Sequence, residues 1–252
     1  MRIDLNCDMG ESFGVYTLGL DEAALPYVTS VNVACGFHAS DPGNMLKTVR
    51  QAKQYKVAIG AHPSFPDLVG FGRRAMAASA EEIYADVIYQ IGALAAICKA
   101  EGLVLQHVKA HGALYNMAEK DGIVAAAIAE AIKSVDPSLY MVCSCGSAMV
   151  KAAQSAGVRY VEEAFADRAY TREGTLVPRK QAGAVIHDVR EVAARVLQLI
   201  TTGRVGTIDG AEVALAAQTI CVHGDTPGAV EMIKEIRTQL DREGVDVVPF
   251  GK

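Results

Sequence analysis

The sequence predicts one α/β domain over residues 1–252, folded as a TIM-like barrel of seven strands. Seven short strand-like segments alternate with helical segments, without an intervening linker or low-complexity tract. A length of 252 residues is common for a single α/β barrel. Polar side chains recur at the C-terminal ends of nearly every predicted strand, whereas an open doubly wound sheet would concentrate them at one switch point. These observations favour the barrel over the open sheet.

The individual elements follow from hydrophobic periodicity and from the residues that begin and end helices. Asp41-Pro42 is a helix start with an acidic cap, and Ser79 to Glu82 form a capping box. The predicted strands are 3–9, 30–37, 57–61, the stretch that begins at 104, 139–145, 159–166 and 218–222. The predicted helices are 42–56, 79–100, 116–134, 146–154, 188–202 and 227–244. Residues 65–74 belong to an unusually long connection, which predicts a lid or a binding loop.

Composition and charge exclude several classes of protein. Hydrophobic residues make up 51% of the chain, enough for a large core, and tryptophan is absent. The net charge of −5 argues against a basic nucleic-acid-binding surface. Residues 1–6 lack the apolar segment of a signal peptide, and no apolar run approaches the roughly 18 residues of a membrane-spanning helix. We therefore expect a cytoplasmic protein without a membrane or nucleic-acid partner.

The six cysteines are expected to be reduced and mostly buried. A chain of this size does not need disulfide staples, and Cys143-Ser-Cys145 lacks the two-residue gap of a redox or zinc pair. Cys35 lies three residues before His38, but no nucleophile-elbow pattern occurs around it. We therefore interpret Cys35 as a core residue rather than a nucleophile.

The most informative stretch is Val104–Asn116. Read with the two-residue period of a strand, it places His107, Lys109 and His111 on one face. A strand between two helices is normally covered on both sides and apolar throughout, so these side chains must face a cavity or find polar partners. Lys109 and His111 are the stronger candidates for function, and His107, deeper along the strand, is interpreted as their support.

Other polar residues at strand ends complete a candidate cleft. Five of the six histidines lie at strand ends or on this strand, and only His187 is expected on the surface. Acids and bases contributed by separate strands converge on one rim of a barrel. The strand-end set is Asp8, Glu11, His38, His62, Lys109, His111, Asp167, Arg168, His223 and Asp225.

Three chemistries are compatible with this set. Histidines and carboxylates could bind a metal that activates water, but neither an H-x-H nor an H-E-x-x-H spacing occurs, so this signal is weak. Alternatively, a carboxylate could activate water while Lys109 and a histidine stabilise an oxyanion without a metal. Thirdly, Gly224–Gly228 could offer backbone N–H groups to a phosphate, although a plain helix cap explains that segment equally well. No P-loop motif is present, so this chain alone is not a P-loop ATPase.

Longer motifs resemble a known family along essentially the whole chain. They are Asp4–Glu11, Asn32–His38, Gly60–Asp67, His107–Asn116, Glu163–Arg168 and His223–Asp225. On these motifs the sequence is similar to the A subunit of prokaryotic 5-oxoprolinase, the LamB-like lactam-utilisation proteins. The resemblance implies a barrel related to the polysaccharide-deacetylase-like group. It also implies the ATP-dependent opening of 5-oxoproline to L-glutamate together with partner subunits B and C.

The resemblance and the strand-end chemistry together assign roles to individual residues. The predicted catalytic residues are Asp8, Glu11, Lys109, His111 and Asp225. The predicted substrate-binding residues are Asn6, His38, His62, Arg73, Tyr115, Asn116, Asp167, Arg168 and His223. ATP is expected to be bound mainly by the partner subunits, while a divalent metal and a homo-oligomer are left open. Two alternatives remain: a stand-alone metal-dependent amidohydrolase or deacetylase, and a non-catalytic substrate-binding subunit.

Overall fold

The computed structural model describes residues 1–222 and 228–251, in which seven parallel strands close into a barrel. The strands of the barrel are β1 (Arg2–Met9), β2 (Ser30–Ala34), β3 (Ala58–His62), β4 (Leu105–Val108), β5 (Tyr140–Ser144), β6 (Arg159–Phe165) and β9 (Thr219–Val222). Three further short strands are not part of the closed ring: β7 (Arg204–Gly206), β8 (Glu212–Ala214) and β10 (Asp246–Val247). The barrel order is β1-β2-β3-β4-β5-β6-β9, and β9 pairs with β1 to close it. The predicted seven-stranded barrel is confirmed.

Helices surround the barrel. They are α1 (Asp21–Ala24), α2 (Pro42–Tyr55), α3 (Ala80–Ala100), α4 (Gly112–Ala118), α5 (Gly122–Val135), α6 (Ala148–Ala156), α7 (Val189–Thr202) and α8 (Ala229–Arg242), with a 3-10 helix at Leu25–Tyr27. Asp41 caps α2 through the N–H groups of Gly43 and Asn44, and the capping box of Ser79 and Glu82 begins α3. Both predicted caps are confirmed, because these side chains satisfy N–H groups that the helix leaves unpaired.

Several elements differ from the sequence prediction. The single helix predicted over 116–134 is two helices, because the Asp121 side chain accepts from the N–H groups of Ile123 and Val124 and begins α5. The hairpin of β7 and β8 and the short strand β10 were not predicted, since two or three residues carry too little periodicity to be recognised. All six cysteines are free, as expected.

The barrel interior is polar, whereas its outer face is apolar. Along β1, Leu5 and Cys7 pack into the hydrophobic core beneath the helices, and the alternate residues Asp4 and Asn6 face inward. All four side chains are buried. Burial on both faces is expected of a parallel strand, but here one buried face carries hydrogen-bonding groups that must find partners inside the barrel.

The N-terminal end of the barrel is closed by the last described residues. β10 pairs with the start of β1 through Arg2 and Asp246. The Phe250 ring lies 5.2 Å from that of His107 and 5.5 Å from that of Tyr140. Gln106, at a register shift between β3 and β4, donates to the Phe250 carbonyl at 2.8 Å. Access to the barrel interior is therefore from the C-terminal ends of the strands.

One helix in the described ranges, α3, is long and apolar enough to cross a membrane by length and composition alone. Its residues Ile83, Val87, Ile91 and Leu94 belong to the hydrophobic core shared with the barrel. A core helix of an α/β barrel has the same composition, so α3 is explained by its packing.

Candidate active site

A cavity of about 560 Å³ opens at the C-terminal end of the barrel. This volume lies in the range of small-molecule sites. Nine of the predicted site residues line it: Asp8, Glu11, His62, Arg73, Lys109, His111, Tyr115, Asn116 and Arg168. Phe165, Arg179 and Lys180 also line the cavity and were not predicted. The strands therefore bring most of the predicted set together at one rim.

Lys109 is the charged centre of the cavity floor. Its Nζ lies 3.1 Å from Asp8 Oδ1 and 2.9 Å from Glu163 Oε1, and it donates to Cys221 Sγ at 3.0 Å. Burial alone would lower the pKa of Lys109, but the charge of Asp8, the contact with Cys221 and the charge of Glu163 outweigh it and hold the pKa well above its ordinary value. Lys109 is therefore a permanent cation placed where a developing negative charge could be stabilised.

Glu163 is the main residue that the sequence analysis missed. It is buried on β6, and its Oε2 accepts from Tyr115 Oη at 3.0 Å while Oε1 accepts from Asn6 Nδ2 at 3.0 Å. Burial, followed by the charge of Glu163, holds the pKa of Tyr115 well above its ordinary value. The available signal was the position of this acid on β6, where the two-residue period of a strand places it on the same face as the apolar residues Val161 and Phe165.

Below Lys109, a second set of polar residues fills the lower interior. The carboxylate of Asp4 accepts from the hydroxyl groups of Thr29, Ser30 and Thr219. Burial raises the pKa of Asp4 to about 6, although these hydrogen bonds oppose the shift. The predicted binding residue Asn6 belongs to this network rather than to the cavity lining, and its amide donates to Thr219 at 2.7 Å.

His107 also belongs to the lower interior. Its Nε2 donates to Asn32 Oδ1 at 2.8 Å, and burial, followed by the charge of Lys109, lowers its pKa to about 3. Gly60 lies directly opposite, where a Cβ atom would stand only 2.0 Å from His107 Nε2. A glycine at this point of β3 is therefore required for the imidazole to cross the barrel.

Three histidines meet at the rim above. His62 Nδ1 lies 2.7 Å from the Lys109 carbonyl oxygen, and His111 Nε2 lies 2.9 Å from that of Phe71. A carbonyl oxygen only accepts, so each of these nitrogens carries its ring's proton. The remaining nitrogens, His62 Nε2 and His111 Nδ1, are 3.0 Å apart. In the neutral rings both are acceptors, and they face each other.

His38 is the third member of this group. Its ring stacks on that of His111 with centroids 3.8 Å apart, and its Nε2 lies 3.5 Å from Glu11 Oε1. His38 is fully buried, and neither ring nitrogen has a hydrogen-bond partner within the described part of the chain. Burial, followed by the neighbouring imidazoles, holds the pKa of His38 well below its ordinary value, so this ring is neutral at pH 7.

The long connection after β3 forms one wall of the cavity. The Gly72 carbonyl accepts from Ala113 N–H at 2.8 Å, and Asp67 holds Arg74 by an ion pair. Gly72 has φ +61°, and an added Cβ would stand 2.8 Å from His38 Cβ. The wall is therefore packed directly against the histidines, and it carries Arg73 into the cavity lining.

Other predicted residues lie further from the cavity. Arg168 lines it, but its guanidinium donates to the backbone carbonyls of Val177 and Ala184 and so fixes the following loop. Asp167 is buried and is not part of the cavity lining, and His187 is exposed as expected. His223, Asp225 and the Gly224–Gly228 segment up to residue 227 lie outside the described residues.

Comparisons with known proteins identify the family of the chain. The sequence matches the LamB/YcsF family over residues 3–252. A relative from Symbiobacterium thermophilum, named as the A subunit of 5-oxoprolinase, is 52% identical over 246 residues, which cover 98% of this chain and 94% of the relative. A relative of the same name from Geobacillus kaustophilus is 55% identical over 245 residues, covering 97% and 95%.

A solved structure shares the complete fold. The lactam utilization protein from Thermus thermophilus superposes with a TM-score of 0.96 at 52% identity, covering 99% of this chain and 100% of that one. The family match spans nearly all of the sequence, and its relatives have a similar length. The chain therefore belongs to the LamB/YcsF family.

Proposed function

We propose that this chain is the A subunit of an ATP-dependent 5-oxoprolinase, which opens the lactam of 5-oxo-L-proline to L-glutamate as ATP becomes ADP and phosphate. The observation that carries the proposal is the buried Lys109 ammonium, held between Asp8 and Glu163 on the floor of a small-molecule cavity. The relatives named as 5-oxoprolinase A subunits support the choice of substrate.

The mouth of the cavity suits an anionic substrate. Arg73, Arg179 and Lys180 line it, while the apolar faces of Phe165 and Leu176 offer contact to a small ring. Guanidinium groups bind carboxylate and phosphoryl oxygens through paired hydrogen bonds. In this proposal Arg73 and Arg179 hold the carboxylate of 5-oxoproline or the transferred phosphoryl group. His62, Tyr115 and Asn116 bind the ring.

A lactam amide resists water, so the proposed role of ATP is activation. Transfer of the γ-phosphoryl group to the lactam oxygen releases ADP. Water then adds to the ring carbon, and the C–N bond breaks as the nitrogen takes up a proton. A second water hydrolyses the resulting acyl phosphate to L-glutamate and phosphate.

This chain's residues would serve the water-addition steps. Asp8 and Glu11 line the cavity and are the candidate bases, together with Asp225, which lies outside the described residues. Lys109 would stabilise negative charge at the ring carbon's oxygen, and His111, whose Nδ1 is an acceptor, would orient the attacking water by accepting one of its hydrogens. Because the sequence lacks a P-loop, we assign most of the ATP contacts to partner subunits B and C in a cytoplasmic complex.

Reconstitution of the complex tests the proposal. In variants Lys109→Ala and Asp8→Asn, glutamate formation should fall by at least about 100-fold, because a preorganised charge or base is lost. Lys99→Ala, on the exposed side of α3, is the matched control and should retain activity. Circular dichroism confirms folding, and near-normal turnover in the folded Asp8→Asn variant would contradict the assignment.

The histidine group also favours a second candidate, a stand-alone amidohydrolase that needs neither ATP nor partners. Incubation of the isolated chain with 5-oxoproline separates the two. Glutamate formed without ATP and partners would establish the stand-alone enzyme, whereas the proposed subunit forms none. Calorimetry measures 5-oxoproline binding to the isolated chain, with and without ATP. A chain that binds 5-oxoproline, in a complex that stays active when Lys109 is replaced, would be a purely substrate-binding subunit.

A further inference from the structure

We propose that Glu11, His38, His62 and His111 form a binding site for a divalent first-row transition-metal ion at the rim of the barrel, beside the cavity. One ligand atom from each of the four residues lies within 4.8 Å of all the others. The residues lie at or after the ends of four different strands, β1 to β4, so the barrel fold itself brings them together. We call these four residues the rim cluster.

The protonation of His62 and His111 is the first argument. Each ring donates its single N–H to a backbone carbonyl, which leaves His62 Nε2 and His111 Nδ1 as two acceptors 3.0 Å apart. Two lone pairs at this distance repel each other, and a cation between them removes the repulsion. Histidines that bind metals commonly donate their other ring N–H to a backbone carbonyl or a carboxylate, which fixes the tautomer. Both rings are arranged in this way.

The second argument is independent of these tautomers. His38 is 0% exposed, and within the described ranges both of its ring nitrogens lack a hydrogen-bond partner. A buried polar group without a partner costs about 1–3 kcal/mol, so such groups are rare unless a ligand satisfies them. His38 Nε2 lies close to the other ligand atoms, because it is 3.5 Å from Glu11 Oε1, which is itself 3.7 Å from His111 Nδ1.

The spacing and the donor set indicate the kind of ion. Metal–ligand bonds of about 2.1 Å place ligand atoms roughly 3.0 to 4.2 Å from each other around one ion. Three of the six separations, at 3.0, 3.5 and 3.7 Å, fall within this range, and all six are within 4.8 Å. Three imidazoles and one carboxylate suit Zn²⁺, Fe²⁺, Co²⁺ or Ni²⁺, whereas Mg²⁺ prefers an all-oxygen set.

The position of the rim cluster gives the ion access to small molecules. Glu11, His62 and His111 line the cavity, and Asp8 Oδ2 lies 3.5 Å from His62 Nε2. An ion bound there would supply a Lewis acid for a carbonyl oxygen or for water. The metal site goes beyond the proposed function, since it stands whether or not a lactam is the molecule that enters the cavity. With the ion bound, Glu11, His62 and His111 would serve as its ligands, and Asp8 would remain as the base.

Metal titration of the full chain tests the site. The protein is treated with a chelator, dialysed and titrated with Zn²⁺ by calorimetry, and separately with Co²⁺ while the visible d–d absorption is recorded. We expect one ion per chain. His111→Gln and the isosteric Glu11→Gln should each weaken binding by at least about 100-fold, since loss of a group that only supports a ligand already costs about 10- to 100-fold. His187→Ala changes an exposed histidine outside the cluster and should bind like the wild type.

The named outcomes decide the proposal in both directions. Stoichiometric binding that weakens only in the rim-cluster variants, with Co²⁺ absorption typical of nitrogen ligation, supports it. The proposal is overturned if no ion binds with micromolar or tighter affinity, or if the wild type and the Glu11→Gln variant bind equally well. A proton shared between His62 and His111 would then explain their contact. The side chain of Glu11 reaches the cavity, so the Glu11→Gln variant is expected to fold even if variants of the more buried histidines do not. Circular dichroism checks that it is folded, and the test then rests on this variant.

Discussion

Two regions of the barrel interior are both buried and polar, yet they differ in how their polar groups are satisfied. In the lower interior, Asp4, Asn6, Asn32 and His107 bond to one another or to neighbouring hydroxyl groups. At the rim, the nitrogens of His38 lack partners within the described residues, and two imidazole acceptors face each other. Burial of polar groups is therefore common to both regions, and unsatisfied bonding capacity is what separates the rim from the lower interior.

Lys109 lies at the boundary between the two regions. It bonds downward to Asn6 Oδ1 at 3.3 Å and lies beside Asp8 and Cys221, while its side chain lines the cavity above. The lower network thus holds this permanent cation of the floor in place. The position of the Lys109 ammonium is set by this network, because the lower residues are fixed by hydrogen bonds to one another.

The largest effect is expected from breaking the lower interior at its tightest point. A Cβ added at Gly60 would stand 2.0 Å from His107 Nε2, so Gly60→Ala should lower the free energy of unfolding by about 3 kcal/mol or more. Gly92→Ala is the matched control, because nothing lies within 4 Å of its Cβ position on α3. Urea denaturation measures both. A Gly60→Ala variant as stable as the Gly92→Ala variant would show that the imidazole moves freely.

A smaller effect is expected from the titration of Asp4. Its folded pKa is about 6, above the ordinary value of 3.8, so the folded protein holds this proton more tightly than the unfolded chain. This contribution to stability is complete below about pH 4 and is lost as the pH rises through about 6, a change of roughly 3 kcal/mol. Asp4→Asn cannot titrate and should lose less stability than the wild type between pH 4 and pH 7.

Urea denaturation of both proteins at several pH values checks this prediction. The stability difference between Asp4→Asn and wild type should shift in favour of the variant as the pH rises. Parallel curves would mean that the hydroxyl groups of Thr29, Ser30 and Thr219 fully compensate the buried charge.

The smallest change in stability is expected from replacing one histidine by leucine in each region, His38 at the rim and His107 in the lower interior. In metal-free protein, His38→Leu replaces an unsatisfied imidazole by an apolar side chain and should raise stability by about 1 kcal/mol. His107→Leu removes the bond to Asn32 and should lower stability by about 2 kcal/mol. Thermal and chemical unfolding of the two variants checks the opposite signs. Equal losses in both would remove the distinction between the regions.

The barrel could be predicted because each strand carries its own signal. The alternation of residues 3–9, the cap at Asp41 and the capping box at Ser79 are local patterns, and local patterns are what sequence reasoning reads. The break at Asp121 was missed because an acidic residue inside an apolar periodic segment is also common on an exposed helix face. The short hairpin of β7 and β8 depends on pairing between segments rather than on either segment alone.

The site could be predicted only as a set of residues. Strand-end position placed Asp8, Lys109 and His111 at one rim, as the cavity lining shows. The separation between network and rim depends on which nitrogen of each imidazole meets a carbonyl, and no sequence pattern encodes that. Glu163 was overlooked for the same reason, since an acid on β6 acquires its role only from Lys109, Asn6 and Tyr115 on other elements.

The closure of the barrel has a consequence for biosynthesis. β1 leaves the ribosome first, but its partners on one side are β9 and β10, and the bonded pair Asn6 and Thr219 are 213 residues apart. Until β9 is made, Asp4 and Asn6 lie on an open edge without their bonds to Thr219. Pairings of such long range fold slowly and expose edges to other chains. We therefore expect refolding of this barrel to be limited by the meeting of its two ends.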